Sequence, residues 1–269
     1  MLAYQVERLD VCYGGCMFVL TIDQVASRRT ADRIPELLAM LQDVPTLLPF
    51  ERTVGDEAQG VPISAIAAAE AIRRVLRSGG WHIGIGCAPD AQENLPTSVR
   101  EGSGMAFVCA REAVEASKRL PVSLAVRVPT VSNGEGTTAD EVHASSAAKR
   151  GVRTAARGRS AAAGSAVEVN PLRGEALDRP ARAAELQALL HVIGIVVQSR
   201  TVAQREAVQL LESGETGQAI ARALSITPQA VSQRRLGAHW AEEQAVWPLA
   251  VRLLHELDSG GSSKRAGEV

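Results

Sequence analysis

Two acids and one short helical stretch carry most of the chemistry legible in this sequence. Asp23 stands where the apolar run "MFVLTI", Met17 to Ile22, stops, and Asp56 stands in the triplet Gly55-Asp56-Glu57 between two extended segments. The triplet suits the tip of a β-hairpin, which holds its acids at a sheet edge. Gly-Asp is ordinary turn chemistry, so a solvated hairpin tip is the plain reading of these acids.

The second stretch is "TGQAIARALSITPQAVSQRRL", Thr216 to Leu236, which has the pattern of a helix-turn-helix. Ala221 is small where two helices must approach. Ile220, Leu224, Ile226 and Val231 supply apolar contacts, and Thr227 can N-cap a helix that begins at Pro228. Early outward side chains of such a second helix reach base edges, so Thr227, Gln229, Ser232 and Gln233 are the candidates at the DNA, with Arg234 on a phosphate. Two details depart from the pattern. Ser225 stands where the turn favours glycine, and Arg235 stands four residues after Val231, where an apolar side chain would continue the buried face.

The elements that position these residues follow from periodicity. "MFVLTI" reads as a buried strand, and Ile34, Leu37, Leu38 and Leu41 lie on one helical stripe with Pro35 in the first turn. Leu47 to Val54 and Glu57 to Val61 read as a hairpin turning at Gly55-Asp56. Ser64 to Arg77 reads as an amphipathic helix with Ile66, Ala69, Ile72 and Leu76 inward, ended by "SGG". "WHIGIG" reads as a strand, "GSGMAFVCAREAVEASKR" as a helix burying Phe107, Ala110 and Val114, and "PVSLAVRV" as a last strand. The expected order, strand, helix, hairpin, helix, strand, helix, strand, is an α/β (α+β) ferredoxin- or palm-like mixed sheet over residues 1–130.

Residues 131–181 are dominated by Gly, Ala, Ser, Thr and charges, which predicts a flexible linker. Within it Lys149, Arg150, Arg153, Arg157 and Arg159 form a basic run, readable as a solvated tether or as a phosphate-binding arm. An all-α domain with the helix-turn-helix is expected over 182–258, and a disordered tail over 259–269.

Composition sets the class. The chain has 269 residues, 46% of them hydrophobic and 22% charged, with a formal net charge of -1. That places it among globular proteins and gives no bulk attraction to polyanions. Cys12, Cys16, Cys87 and Cys109 do not make a disulfide framework, and "CYGGC" lacks a second pair to complete a zinc site. No export signal or bilayer-length apolar run is read, so a cytoplasmic protein without membrane contact is expected.

The blocks "FVLTIDQVASR", "FERTVGDEAQGV", "GWHIGIG", "REGSGMAFVCAREAVEASKR" and "ITPQAVSQR" together resemble the bacterial SatD-like family. That resemblance implies an architecture and a C-terminal helix-turn-helix more than a reaction. The N-terminal blocks are more distantly similar to class III nucleotide cyclases, whose palm-like domain has a metal-binding Asp after its first strand and another in a Gly-Asp hairpin. Asp23 and Asp56 match those positions, so the resemblance implies that their carboxylates hold Mg²⁺ against a triphosphate, the ion bridging phosphate oxygens and activating an attacking hydroxyl. Those cyclases also use an Asn and an Arg one helical turn apart; Arg111 matches the second as a nucleotide contact, but Phe107 occupies the first, and an apolar ring cannot hydrogen-bond a ribose.

The expected function is a DNA-binding transcription regulator with a cyclase-like, catalytically degenerate N-terminal domain that senses a ligand. Its expected partners are double-stranded DNA, a small nucleotide ligand with Mg²⁺, and a second copy of itself. A metal-dependent enzyme of the nucleotidyl cyclase type is the alternative, and a dimerisation or interaction protein that binds no DNA is the second.

Overall fold

A computed structural model describes residues 15–89, 95–129 and 179–259. Through residue 127 the elements come in the expected order: β1 (Met17–Gln24), α1 (Ile34–Leu41), β2 (Thr46–Arg52), β3 (Glu57–Pro62), α2 (Ala65–Ser78), β4 (Trp81–Ala88), α3 (Met105–Ser117) and β5 (Leu124–Arg127). The strands form one mixed sheet of order β2-β3-β1-β4-β5, parallel between β4 and β5 and antiparallel elsewhere. The expectation of a mixed sheet covered by helices is met in this α+β form. The linker expected over 131–181, with its basic run, and the tail fall almost wholly outside the described residues.

Alternation along β1 assigns its faces. Phe18, Leu20 and Ile22 enter the larger core with Ile34, Leu37 and Leu41 of α1 and Ile72, Val75 and Leu76 of α2. Met17 and Val19 face the opposite way, into a smaller core with Phe107 and Ala110 of α3. Successive strand side chains point to opposite faces, so a single apolar run serves both layers. On that second face β4 carries Gly84 and Gly86. A Cβ at Gly84 would lie 2.4 Å from the Ala110 carbonyl, and one at Gly86 2.1 Å from the Ala106 carbonyl. The "GIG" of this strand is therefore the seat on which α3 rests.

Local signals set the helix ends. The Ser64 hydroxyl accepts from the Ala67 amide to cap α2, which ends at Gly79 with φ 67°. Ile66, expected on the inward stripe, is instead 54% exposed. Ala65, Ala68, Ile72, Val75 and Leu76 form the buried side, so the inward stripe begins at Ala65, one residue before Ile66, and leaves Ile66 outward.

The chain continues all-helical with α4 (Arg179–Gln198), α5 (Val202–Glu212), α6 (Gly217–Ala223), α7 (Pro228–Gly237) and α8 (Trp240–Ser259). The expectation of a separately folded C-terminal domain needs correction. Leu186, Leu190 and Ile193 of α4 and Ala250, Leu254 and Leu257 of α8 share the larger core with the sheet, and the described residues before 130 and after 178 make one compact unit. α4 is long and apolar enough to cross a membrane by length and composition, a property the sequence reading did not find, and its buried side packs in this core. It also covers the free edge of β5: the Val126 amide donates to Gln187 Oε1 at 3.0 Å, and His191 Nε2 lies 2.7 Å from the Leu124 carbonyl. Two side chains one helical turn apart stand where another strand would otherwise pair.

Candidate functional site

α5, α6 and α7 have a small apolar centre of their own, Ile220, Ala221 and Val231, with Leu210, Leu211, Leu224 and Ile226 packed around it. Each helix start is capped by a threonine hydroxyl: Thr201 on the Gln204 amide, Thr216 on Ala219 and Thr227 on Ala230. Thr227 is thus occupied in shaping the start of α7, which Pro228 continues without an orphaned amide.

The turn after α6 is a Schellman closure. The Ile226 amide donates to the Ala221 carbonyl at 2.9 Å and the Ser225 amide to the Arg222 carbonyl at 3.2 Å. This places Ser225 in the left-handed region at φ 53°, the conformation for which glycine is the usual choice. The sequence reading identified the position; the turn forms there with serine.

α7 divides into two faces. Val231 and Ala238 are buried, and Arg234 is turned back onto α5, its guanidinium 3.4 Å from the Ala203 carbonyl and 3.7 Å from a Glu206 oxygen. The other side presents Gln229, Ser232, Gln233 and Leu236 to solvent, with Arg235 exposed at its margin. Two expectations change here. Arg234 is a contact to α5 and no outward cation, and Arg235 does not occupy a buried position. Ala238 and the Arg234 stem continue the inner face, so the exposed arginines beside the outward stripe are Arg235 and Arg222.

A buried charge cluster fixes α7 to the rest of the molecule. Arg200, after α4, donates through Nε to the Ala238 carbonyl at the end of α7 at 2.8 Å and pairs with Glu243 of α8 at 2.5 Å. Glu243 also receives Arg77 from α2 at 2.7 Å and the Trp247 indole N–H at 3.0 Å. Arg77 pairs further with Glu212 at the end of α5 and lies over the Trp240 ring, 5.0 Å from its centre. The sequence did not mark Arg77, Arg200, Glu212 and Glu243 as a cluster, because each is an ordinary charge until the fold brings them together.

The acid pair does meet. Gly55 takes φ 59° at the hairpin tip, and the Gln24 amide donates to the Asp56 carbonyl at 3.1 Å, tying the tip to the end of β1. The two carboxyls lie within hydrogen-bonding reach of each other. Burial pushes the Asp23 carboxyl above the ordinary carboxylate range, against the pull of Lys118, and the negative charge of Asp56 adds to it. Asp56 is held below that range, first by the Ser27 side chain. Of the two acids, Asp23 is therefore the one that binds a proton more readily.

Lys118, just beyond α3, approaches Asp23 to 2.8 Å and Glu115 to 2.7 Å. Sequence reasoning missed it; its position after the last turn of a helix, where a cation suits the dipole, was the available signal. His82 faces Asp23 across the β1–β4 ladder, and burial holds its imidazole below the usual range. Among the described residues no group of three or more His, Cys, Asp or Glu is placed to hold a metal ion. Mg²⁺ needs only one or two carboxylates when a substrate supplies phosphates, but here an ammonium already sits on one carboxylate and the helix C-terminus beside it disfavours anions. Arg111 is exposed and lies two helical turns, about 10 Å, before Lys118. Phe107 is a core residue, 1% exposed, packed where a Cβ on Gly102 would come within 2.1 Å of its ring.

Comparison with family models, with curated proteins and with solved structures finds no match.

Proposed function

We propose that this protein is a DNA-binding regulator that reads duplex DNA with the outward face of α7, its sheet acting as the regulatory, ligand-sensing body. The observation that carries the reading is the division of α7: Val231, Arg234 and Ala238 are turned inward, while Gln229, Ser232 and Gln233 stand exposed on the other side. Polar side chains able to donate and accept, spaced along the start of a helix that a Thr-Pro cap presents N-terminus first, suit base edges in the major groove. The resemblance of "ITPQAVSQR" and the four other blocks to the SatD-like family points the same way. Exposed Arg222 and Arg235 supply phosphate contacts at the margin.

The test is a selection from random duplex DNA with the full chain, since α4 and α8 share the sheet's core and are not to be separated from it. Enrichment of one sequence motif is the expected result. Recovery of no motif would turn α5 to α7 into a packing or dimerisation element, the interaction-protein reading.

The meeting of Asp23 and Asp56 favours a second reading, a metal-dependent enzyme of the nucleotidyl cyclase type. Asp23 and Asp56 would hold the ion, which would supply Lewis acidity at a triphosphate. Phe107 weighs against it, since a core ring offers no hydrogen bond to a nucleotide, and so does Lys118. Incubation with ATP or GTP and Mg²⁺ decides it: cyclic nucleotide formed by the parent and lost in Asp23→Ala would establish the enzyme.

A further inference from the structure

We infer that the half-site read by α7 consists of adjacent A·T pairs, an inference that rests on the DNA-binding reading and assigns its specificity. The outward stripe runs Gln229, Ser232, Gln233, Leu236, with every member exposed and Leu236 67% exposed. From Gln229 to Leu236 the helix rises about 10 Å, the length of about three base pairs. The stripe holds no Arg or Lys, the side chains that pair bidentately with guanine O6 and N7, and no carboxylate to accept from the cytosine amino group. Of the neighbouring cations, Arg234 is turned onto Ala203 and Glu206 of α5, and exposed Arg235 lies off the stripe, at the margin where the phosphates run.

Two amides remain as the groups with a defined bidentate partner, and that partner is adenine, through N6 and N7. Ser232 bonds its own helix, its hydroxyl donating to the Pro228 carbonyl at 3.1 Å, and its free lone pair is indifferent to base type. Leu236 is the informative member. A leucine two-thirds exposed on a soluble helix, in line with two glutamines, has one apolar feature to meet in a major groove, the thymine C5-methyl. Glutamine on adenine and leucine on a thymine methyl read the same class of pair, so the face is selective for A·T and has no device for G·C.

The selection with the full chain also tests this inference. The expected result is an enriched site with A·T at two or three adjacent positions. On that site, replacing the contacted thymine by uracil, which lacks the methyl, weakens the parent protein about fourfold and leaves Leu236→Ala unaffected. Gln233→Ala relaxes the preference at one adenine. An enriched site carrying G·C at the core positions would overturn the inference and leave DNA binding standing. Equal sensitivity to uracil in parent and Leu236→Ala would overturn the leucine's role alone, and absence of any enriched site would overturn the inference together with the reading beneath it.

Discussion

Arg77 of α2 and Glu243 of α8 stand 166 residues apart in the chain and meet at 2.7 Å, the glutamate side chain wholly out of solvent. Glu243 carries Arg200 on its other oxygen, and Arg200 holds the Ala238 carbonyl at the end of α7. α7 is therefore referenced to the sheet's own helix α2 through one carboxylate.

Glu243→Gln leaves two buried guanidinium groups facing a neutral amide, which predicts a loss of about 3–5 kcal/mol in chemical denaturation. Burial opposes ionisation of Glu243, but the arginines and the Trp247 indole outweigh it and hold its carboxyl below the usual range. Its stabilising contribution is then present above the unfolded value of about 4.3 and is lost as pH falls through the lower folded value. The variant should lack that part of the acid destabilisation. Unchanged stability would mean that the cluster ties nothing together.

Because α4 and α8 complete the sheet's core, residues 15–129 and 179–259 expressed as two separate chains should co-purify as one complex. Each alone would expose the apolar side that the other covers. Two well-behaved monomers with independent melting transitions would restore the two-domain picture.

Much of this arrangement was legible in the sequence. "MFVLTI" declared β1, the Ile34–Leu37–Leu41 spacing declared α1, and Gly55-Asp56 declared a turn, since each is a local preference repeated over several residues. The meeting of Asp23 with Asp56 was legible because both stood at strand ends. What was missed depends on long-range packing or on helical phase. An apolar stretch such as that of α4 says that something covers it, not what. Lys118 is informative only once α3 is known to end beside β1. Arg234 and Arg235 differ by about 100° around a helix, so a one-residue error in phase exchanged the buried stem with the exposed charge.

Ser225 is held at φ 53° by a Schellman closure, a conformation that costs an L-residue about 1–2 kcal/mol. Ser225→Gly should stabilise the protein by about 1 kcal/mol once the added freedom of the unfolded chain is counted. Ser225→Val should destabilise it. A destabilising glycine would show that the serine hydroxyl contributes to the turn.

Asp23 has its folded value raised, chiefly by burial, so its contribution to stability is present below the unfolded value of about 3.9 and is lost as pH rises through the folded one. Asp23→Asn should gain on the parent in melting temperature as pH rises above about 4. A variant that instead loses ground over that window would mean that the attraction of Lys118 for the Asp23 carboxylate outweighs its burial. In the same scans Mg²⁺ with ATP should leave the parent's melting temperature unchanged; a rise abolished by Asp56→Asn would install the acid pair as a divalent site.

The central claim is that α7 reads bases through its outward amides, and competition titration on the selected site measures it most directly. The full chain, Gln233→Ala and Arg235→Ala are each titrated against that site and against a scrambled duplex over a range of salt. Gln233→Ala should lose about 1–3 kcal/mol of discrimination and keep its scrambled-duplex affinity, while Arg235→Ala weakens both duplexes alike and flattens the salt slope by about 1. Equal losses on both duplexes in both variants would contradict the account.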